Sequence, residues 1–429
     1  MRIIALALAC ACLLVCSGCG GAGDVETLLR APQLSGESSA LQKALNSHLG
    51  SNAMLKYPAS GQFLSPFAFG DWDGDGTEEA AILYAADVAG GNVNLAVLEQ
   101  NGAQGWRVAQ TVEGLAAEVE TFCFAHLKDD VSLQLIAGYS SAQGDRYLAV
   151  YHYDGETLQT VIQQNYTEML LADLTGKQGT EDLVLALPTE AENAGVTLQL
   201  LTTVRGEFRS VQTLALGAGS YNGCAALHAG KGSDEGAYLV MDAWVGSSSL
   251  ASSIVLYDAA SASLQTYYPP GLSDPQRSTL RYDADLLSRD LDGNGTVDIP
   301  IEVTDGGTIL TPVDKRLRFL LWQDYATKTQ GGNSHFGVYD SEYGFFVPLP
   351  ESMHGMVQLR SNQAGTGWMI CNREGTTIYC EFRVMDQEQA EAEEYHRIAY
   401  IGNQQLQVRM VTPYYGLDLQ DVLEQTRLL

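Results

Sequence analysis

The chain has 429 residues, and 24 basic against 52 acidic side chains leave a formal net charge of −28. That balance excludes nucleic acid as a partner, because a phosphate backbone needs a basic face. It favours solubility and attraction for divalent cations.

The chain opens on an address. Met1-Arg2 is a short positive start, Ile3 to Val15 is apolar, and Cys16-Ser-Gly-Cys19 follows. The apolar run is too short to span a bilayer, so residues 1–18 read as a secretory signal. The Ser-Gly-Cys ending looks like a bacterial lipobox, with Cys16 where Leu is usual. That likeness implies a lipid on Cys19 and attachment to the outer face of a membrane; plain cleavage with release is the alternative. Residues 19–62 comprise a small, polar, turn-rich tether and a short helix over 37–48. In the helix Leu41, Ala44, Leu45 and His48 recur at helical spacing, and Gly50 is a stop signal. The apolar stripe predicts packing against the main domain, with His48 a packed residue.

Phe69-Gly-Asp-Trp-Asp-Gly-Asp-Gly-Thr-Glu-Glu-Ala-Ala-Ile-Leu-Tyr84 comes next. Asp71, Asp73 and Asp75 alternate with other residues, and Glu79 follows. Carboxylates this close repel unless something neutralises them. An oxygen-only ligand set on a flexible turn suits a hard cation, calcium before magnesium, because calcium tolerates irregular geometry. Gly76 permits the sharp turn, and Ala80 to Tyr84 reads as a strand leaving it. An EF-hand needs Glu at its twelfth position and flanking helices. Here that position is Ile82 and the flanks are strand-like, so the EF-hand is rejected. A second copy, Asp290-Leu-Asp-Gly-Asn-Gly-Thr-Val-Asp298, departs in the same way, with Ile301 at the twelfth place. The competing possibility is a polar Asp/Gly turn that holds no ion.

These two loops with their following strands resemble the FG-GAP/VCBS-type repeat of integrin-alpha-like β-propellers. The resemblance rests on residues 69–84 and 288–303. It implies a loop joining the first and second strands of a blade, with calcium held there. The side-chain ligands it implies are Asp71, Asp73, Asp75 and Glu79, then Asp290, Asp292, Asn294 and Asp298. The carbonyls of Thr77 and Thr296 would complete each set.

Residues 63–413 share one texture: short alternating runs broken by Gly, Asn, Asp and Ser turns. Segments shaped like the first loop recur at Phe122–Asp130, Met169–Gly176 and Ala225–Asp234. The separation is roughly 50 to 60 residues, which suits a four-stranded blade. The middle copies lack the carboxylates, and Lys177 would repel a cation, so two occupied loops and three empty ones are expected. The fold class is therefore all-β, a propeller of six or seven four-stranded blades. Blade 1 has strands over 66–70, 80–84, 93–99 and 106–112. Blade 2 has them over 121–127, 133–138, 147–153 and 158–163. Blades 3 and 4 end near Gly217 and Tyr268, blade 5 runs from Leu286 to about Pro350, and blade 6 from Met356 to Val411. Residues 330–413 match the repeat poorly and form either a degenerate blade or a small β-domain. A tail, 414–429, closes the chain.

Cys371 and Cys380 bracket a predicted hairpin, as a disulfide or as two reduced thiols. Cys123 and Cys224 read as buried small hydrophobes. The acidic stretch Glu388–Glu394 is a solvated loop. His126 and His228 sit at similar places in two degenerate repeats and suggest a structural role. The five Trp residues read mainly as inter-blade packing, with sugar or peptide stacking as the rival. No HExxH, GxSxG or P-loop is present. The combined expectation is a calcium-stabilised, lipid-anchored surface module that binds a protein or glycan. The alternatives are a polysaccharide lyase or hydrolase with an axial pocket, and a passive envelope component.

Overall fold

A computed structural model describes residues 36–86, 91–102, 105–128, 131–177, 179–189, 194–232, 237–268, 274–310, 316–325, 334–362, 366–387 and 394–429. The signal segment, Cys19, the tether and all but the last residue of the 388–394 acidic stretch lie outside these residues.

The all-β expectation holds. After helix α1 (Gly36–Leu49), the chain forms six sheets in succession, antiparallel but for one strand pair. Blade 1 contains β1 (Met54–Leu55), β2 (Phe67–Gly70), β3 (Glu79–Ala85), β4 (Asn94–Gln100) and β5 (Trp106–Glu113). Blade 2 contains β6 (Glu118–Ala125), β7 (Gln134–Ser140), β8 (Arg146–Tyr153) and β9 (Leu158–Tyr166). Blade 3 contains β10 (Glu168–Ala172), β11 (Asp182–Leu187), β12 (Val196–Val204) and β13 (Glu207–Leu216). Blade 4 contains β14 (Cys224–Lys231), β15 (Ala237–Val245), β16 (Ser249–Asp258) and β17 (Ser263–Tyr267), followed by the single turn α2 (Pro275–Ser278). Both the strand starts and the strand ends fall close to the sequence-derived blades.

Blades 5 and 6 share strands in a way that the repeat pattern hid. Blade 5 is built from β18 (Asp298–Glu302), then, after β19 (Gly307–Leu310) departs, from β20 (Leu317–Asp324), β21 (Ser334–Asp340) and β22 (Phe345–Pro348). Strand β19 pairs parallel with β23 (Val357–Ser361) and so belongs to blade 6. The rest of blade 6 is β24 (Gly367–Asn372), β25 (Ile378–Asp386), β26 (His396–Ile401) and β27 (Gln404–Met410). Strands β26 and β27 form a hairpin, in which β27 pairs with β25 and β26 lies outside it. The tail is ordered too: helix α3 (Leu419–Gln425) is capped by Asp418, and β28 (Arg427–Leu428) extends blade 5 along β22.

Period-2 alternation explains why both faces of an inner strand are apolar. On β3, Ala81 and Leu83 face the core shared with blade 2, which includes Phe122, Leu135 and Tyr151. The neighbours Ala80, Ile82 and Tyr84 face Leu41 and Leu45 of α1. Further apolar clusters join blades 2 and 3, 3 and 4, 4 and 5, and 5 and 6. Among the described residues no apolar cluster joins blade 1 to blade 6; α1 takes that face of blade 1. The outward face of blade 6 is instead polar, with the guanidiniums of Arg383 and Arg409 lying 3.5 and 5.3 Å from the Tyr395 ring. Fourth strands such as β5 and β9 alternate exposed polar with half-buried residues, which blunts the outer edges against pairing with other chains.

Tryptophans pack rather than present. Trp72, Trp322 and Trp368 are fully buried, and Trp72 makes edge contacts with Phe124 and Tyr153 of blade 2 at 5.1 and 6.4 Å. His228 lies 3.5 Å from the buried Asp242 carboxylate. That carboxylate also meets Arg281 at 2.8 Å and accepts from the Ser252 and Ser288 hydroxyls. Burial opposes ionisation there, but the Arg281 charge and these donors hold Asp242 well below its ordinary value. His126 instead donates its N–H to the Glu181 carboxylate at 3.3 Å, and its carbonyl accepts from Glu181 N–H at 2.7 Å. The bracketing cysteines form no disulfide: Cys371 and Cys380 are buried free thiols. The hairpin pairs Ile370 with Cys380 and Cys371 with Ile378, so a bulge sets the two thiols out of direct opposition.

Candidate metal centres

The first Asp-rich loop joins β2 to β3 in blade 1, and the second leads into β18, the first strand of blade 5. The first leaves β2 at Gly70 and enters β3 at Glu79; the second runs between the bridged residues Arg289 and Asp298. Their backbones coincide in conformation. Gly74 and Gly293 both have φ of 79°, and Gly76 and Gly295 both have φ of 90°, a region that side chains disfavour.

The hydrogen bonds coincide as well. Asp71 accepts from the Gly74 and Gly76 N–H groups at 2.9 and 3.0 Å. Asp290 accepts from Gly293 and Gly295, both at 2.8 Å. Asp73 accepts from Asp75 N–H at 3.0 Å, and Asp292 from Asn294 at 3.1 Å. The ninth residue closes each loop: Glu79 accepts from Trp72 N–H at 2.9 Å, and Asp298 from Leu291 at 3.1 Å. Backbone donors thus aim carboxylates inward before any ion is considered.

Three carboxylates converge in each case. Ligand atoms of Asp71, Asp73 and Glu79 lie within 4.8 Å of one another, as do those of Asp290, Asp292 and Asp298. Asp75 stands outside its cluster and accepts from Thr77 N–H at 2.7 Å, as Asn294 does from Thr296 at 2.6 Å. The fifth-position side chains therefore shape the turn, and among the described residues only these two groups gather three such acids.

Their electrostatics record the crowding. Burial, followed by the charges of Asp73, Asp75 and Asp71, pushes Glu79 up to about 7. Burial, followed by Asp292, Asp324 and Asp290, pushes Asp298 up to about 7. Asp298 is wholly buried, and its Oδ1 has no hydrogen-bond partner. A buried carboxylate oxygen without a donor is what a cation-binding turn leaves to its ion. The loops differ in their surroundings. Among the described residues no cationic side chain pairs with the first loop's acids. Beside the second, His335 Nε2 lies 3.4 Å from Asp292, and the Lys231 chain lies so close that a Cβ on Gly295 would sit 3.2 Å from its Nζ.

The degenerate repeats reuse the closing bond without the acids. Gln134 accepts from Leu127 N–H at 2.8 Å, and Asp182 from Leu174 at 2.9 Å. Lys177, expected to repel a cation, donates to the Thr203 carbonyl. The ninth position is therefore first a structural acceptor and only in two loops also a member of an acidic cluster. A polar acceptor at the head of the strand that follows each of these loops is the sequence signal for this closing bond. Comparison with known protein families and with curated proteins finds no match to this chain.

Proposed function

We propose that this protein is a calcium-stabilised, extracytoplasmic β-propeller lipoprotein that acts as a binding module at a cell surface. The observation carrying the calcium part is the matching glycine conformation and hydrogen bonding of the two loops, each gathering three inward-held carboxylates. Their oxygen-only donors and irregular turn suit calcium rather than a nitrogen- or sulfur-seeking ion. Bound there, the ion would neutralise the clustered charge and pin β2 against β3 in blade 1 and the turn that enters β18 in blade 5. The Ser-Gly-Cys19 signal supports the anchor and the compartment, where weak sites of about 10⁻⁴ to 10⁻³ M suffice. The resemblance to FG-GAP/VCBS repeats supports a role in contacting a protein or glycan.

Calorimetric titration of chelator-treated protein tests the metal part: two sites are expected, and one or none would reject it. Labelling with a radioactive fatty acid in a bacterial host tests the anchor, with Cys19→Ala abolishing the label.

A second reading, a polysaccharide-active enzyme, has one observation in its favour. A cavity of about 490 Å³ lies between β6 and β10, lined by Glu120, Arg146, Tyr166 and Glu168. Arg146 binds Glu168 at 2.7 Å, yet burial still raises that carboxyl above its ordinary value, as a general acid requires. Turnover of a glycan panel, lost in Glu168→Gln, would establish it over the binding module.

A further inference from the structure

The sheet register places an acid beside the second loop that its nine residues do not contain. Strand β18 pairs with β20 so that Asp298, which closes the loop, stands directly opposite Asp324. Directly opposed residues of antiparallel strands share a face, with Cβ atoms about 4.5–5.5 Å apart. Both residues are buried, Asp298 at 0% and Asp324 at 3% exposure. Like charges so placed are destabilising. After burial, the Asp324 charge is among those that hold the Asp298 carboxyl above its ordinary value.

This placement follows the acidic loops. In blade 1 Ala80 faces Leu98, and one further step of that register sets Glu99 beside Glu79, the closing residue of the first loop. In blade 2 the closing residue Gln134 faces His152. In blade 3 Leu183 faces Leu201, which sets Thr202 beside Asp182. An acid therefore faces the closing residue in the two blades whose loops gather three acids, and not in these degenerate blades. Glu99 is already held by Arg107 and by the Tyr153 hydroxyl, so blade 5 is where the extra charge bears on an ion.

An independent feature points to a cation at this place. Asp298 Oδ2 accepts from Leu291 N–H, but its Oδ1 is buried without a hydrogen-bond partner. Such an oxygen is costly unless a positive charge meets it. We propose that Asp324 belongs to the second metal centre as a positioning residue: a fourth carboxylate, presented by β20, that fixes Asp298 and adds its charge to the site. This rests on the calcium reading above and extends it to a residue outside the loop.

Calorimetric titration of the full chain with calcium reads the assignment. Asp324→Asn should weaken one of two sites at least tenfold, the scale of losing an outer carboxylate. The weakened site should be the one that survives Asp73→Ala, and the other should be unchanged. Asp324→Glu should recover most of the loss. Asp305→Asn removes the same charge from an exposed acid beyond the other end of β18 and should change affinity less than twofold. In chelator, Asp324→Asn should melt no lower than the wild-type chain, because it removes a charge beside Asp298. Two unaltered sites, a lower melting temperature in chelator, or an equal loss in Asp305→Asn would overturn the assignment and leave the calcium reading standing. No calcium binding by the wild-type chain would overturn both.

Discussion

Substituting Asp298 by Asn should change stability in opposite directions with and without calcium. Asp298 is buried, and its carboxyl is pushed from an ordinary 3.8 up to about 7. A carboxyl raised in the folded state adds stability that is complete below its unfolded value and is lost as pH climbs through the folded one. Metal-free protein therefore weakens between about pH 4 and pH 8 through this group. At about 1.4 kcal/mol for each pH unit between the two values, the cost approaches about 4 kcal/mol. Water reaching the exposed neighbours Asp290 and Asp292 screens this to about 1–2 kcal/mol. Asn retains an acceptor for Leu291 N–H and removes the charge, so in chelator at about pH 8 the variant should be more stable by about 1–2 kcal/mol. With calcium in hundredfold excess over its dissociation constant, an occupied site stabilises the fold by about 2.7 kcal/mol. The variant forfeits most of that gain. Urea denaturation in chelator and in calcium measures both arms. Equal destabilisation in the two media would refute the argument, because it would make Asp298 a structural acceptor alone.

Asp73→Ala should lower thermal stability in calcium and have little effect in chelator, as scanning calorimetry in the two buffers would show. Gly155 has φ of +86°, and a Cβ there would lie 2.6 Å from the Asp73 carboxylate. Gly155→Ala should therefore cost about 1–3 kcal/mol and weaken calcium at the first loop, both readable in one calcium-dependent denaturation series. Cys371 and Cys380 should react with a thiol reagent only after unfolding, and reduction should leave electrophoretic mobility unchanged. Leu45→Ala empties a core position of α1 and should cost about 2–5 kcal/mol, with hydrogen exchange accelerating in β3 before it does in blade 4.

Much of this protein is legible in its sequence because its units are local. The alternation over Ala80 to Tyr84 and the turn residues between runs specify a strand–turn–strand piece, and repetition of that piece specifies blades. The acidic loops are more local still: nine consecutive residues provide three carboxylates and the N–H groups that orient them. That is why Asp71, Asp73, Glu79 and their counterparts at 290, 292 and 298 come together, while Asp75 accepts from the N–H of Thr77, two residues on.

What escaped depends on contacts between distant segments, where sequence carries hydrophobicity but not address. Nothing in Leu41 or Leu45 names blade 1 as their partner. The parallel pairing of β19 with β23, the docking of β28 on β22, the approach of His335 to Asp292 and the facing of Asp298 by Asp324 all arise from such meetings. The cysteines show the same limit at short range, since one bulge in the β24–β25 register separates thiols that spacing alone brings together. Periodicity and turn chemistry thus determined the class of sheet and the shape of the acidic loops. Only the stacking of whole sheets decided which faces are sealed and where cavities remain, because burial is a property of the assembled surfaces and not of any one stretch of chain.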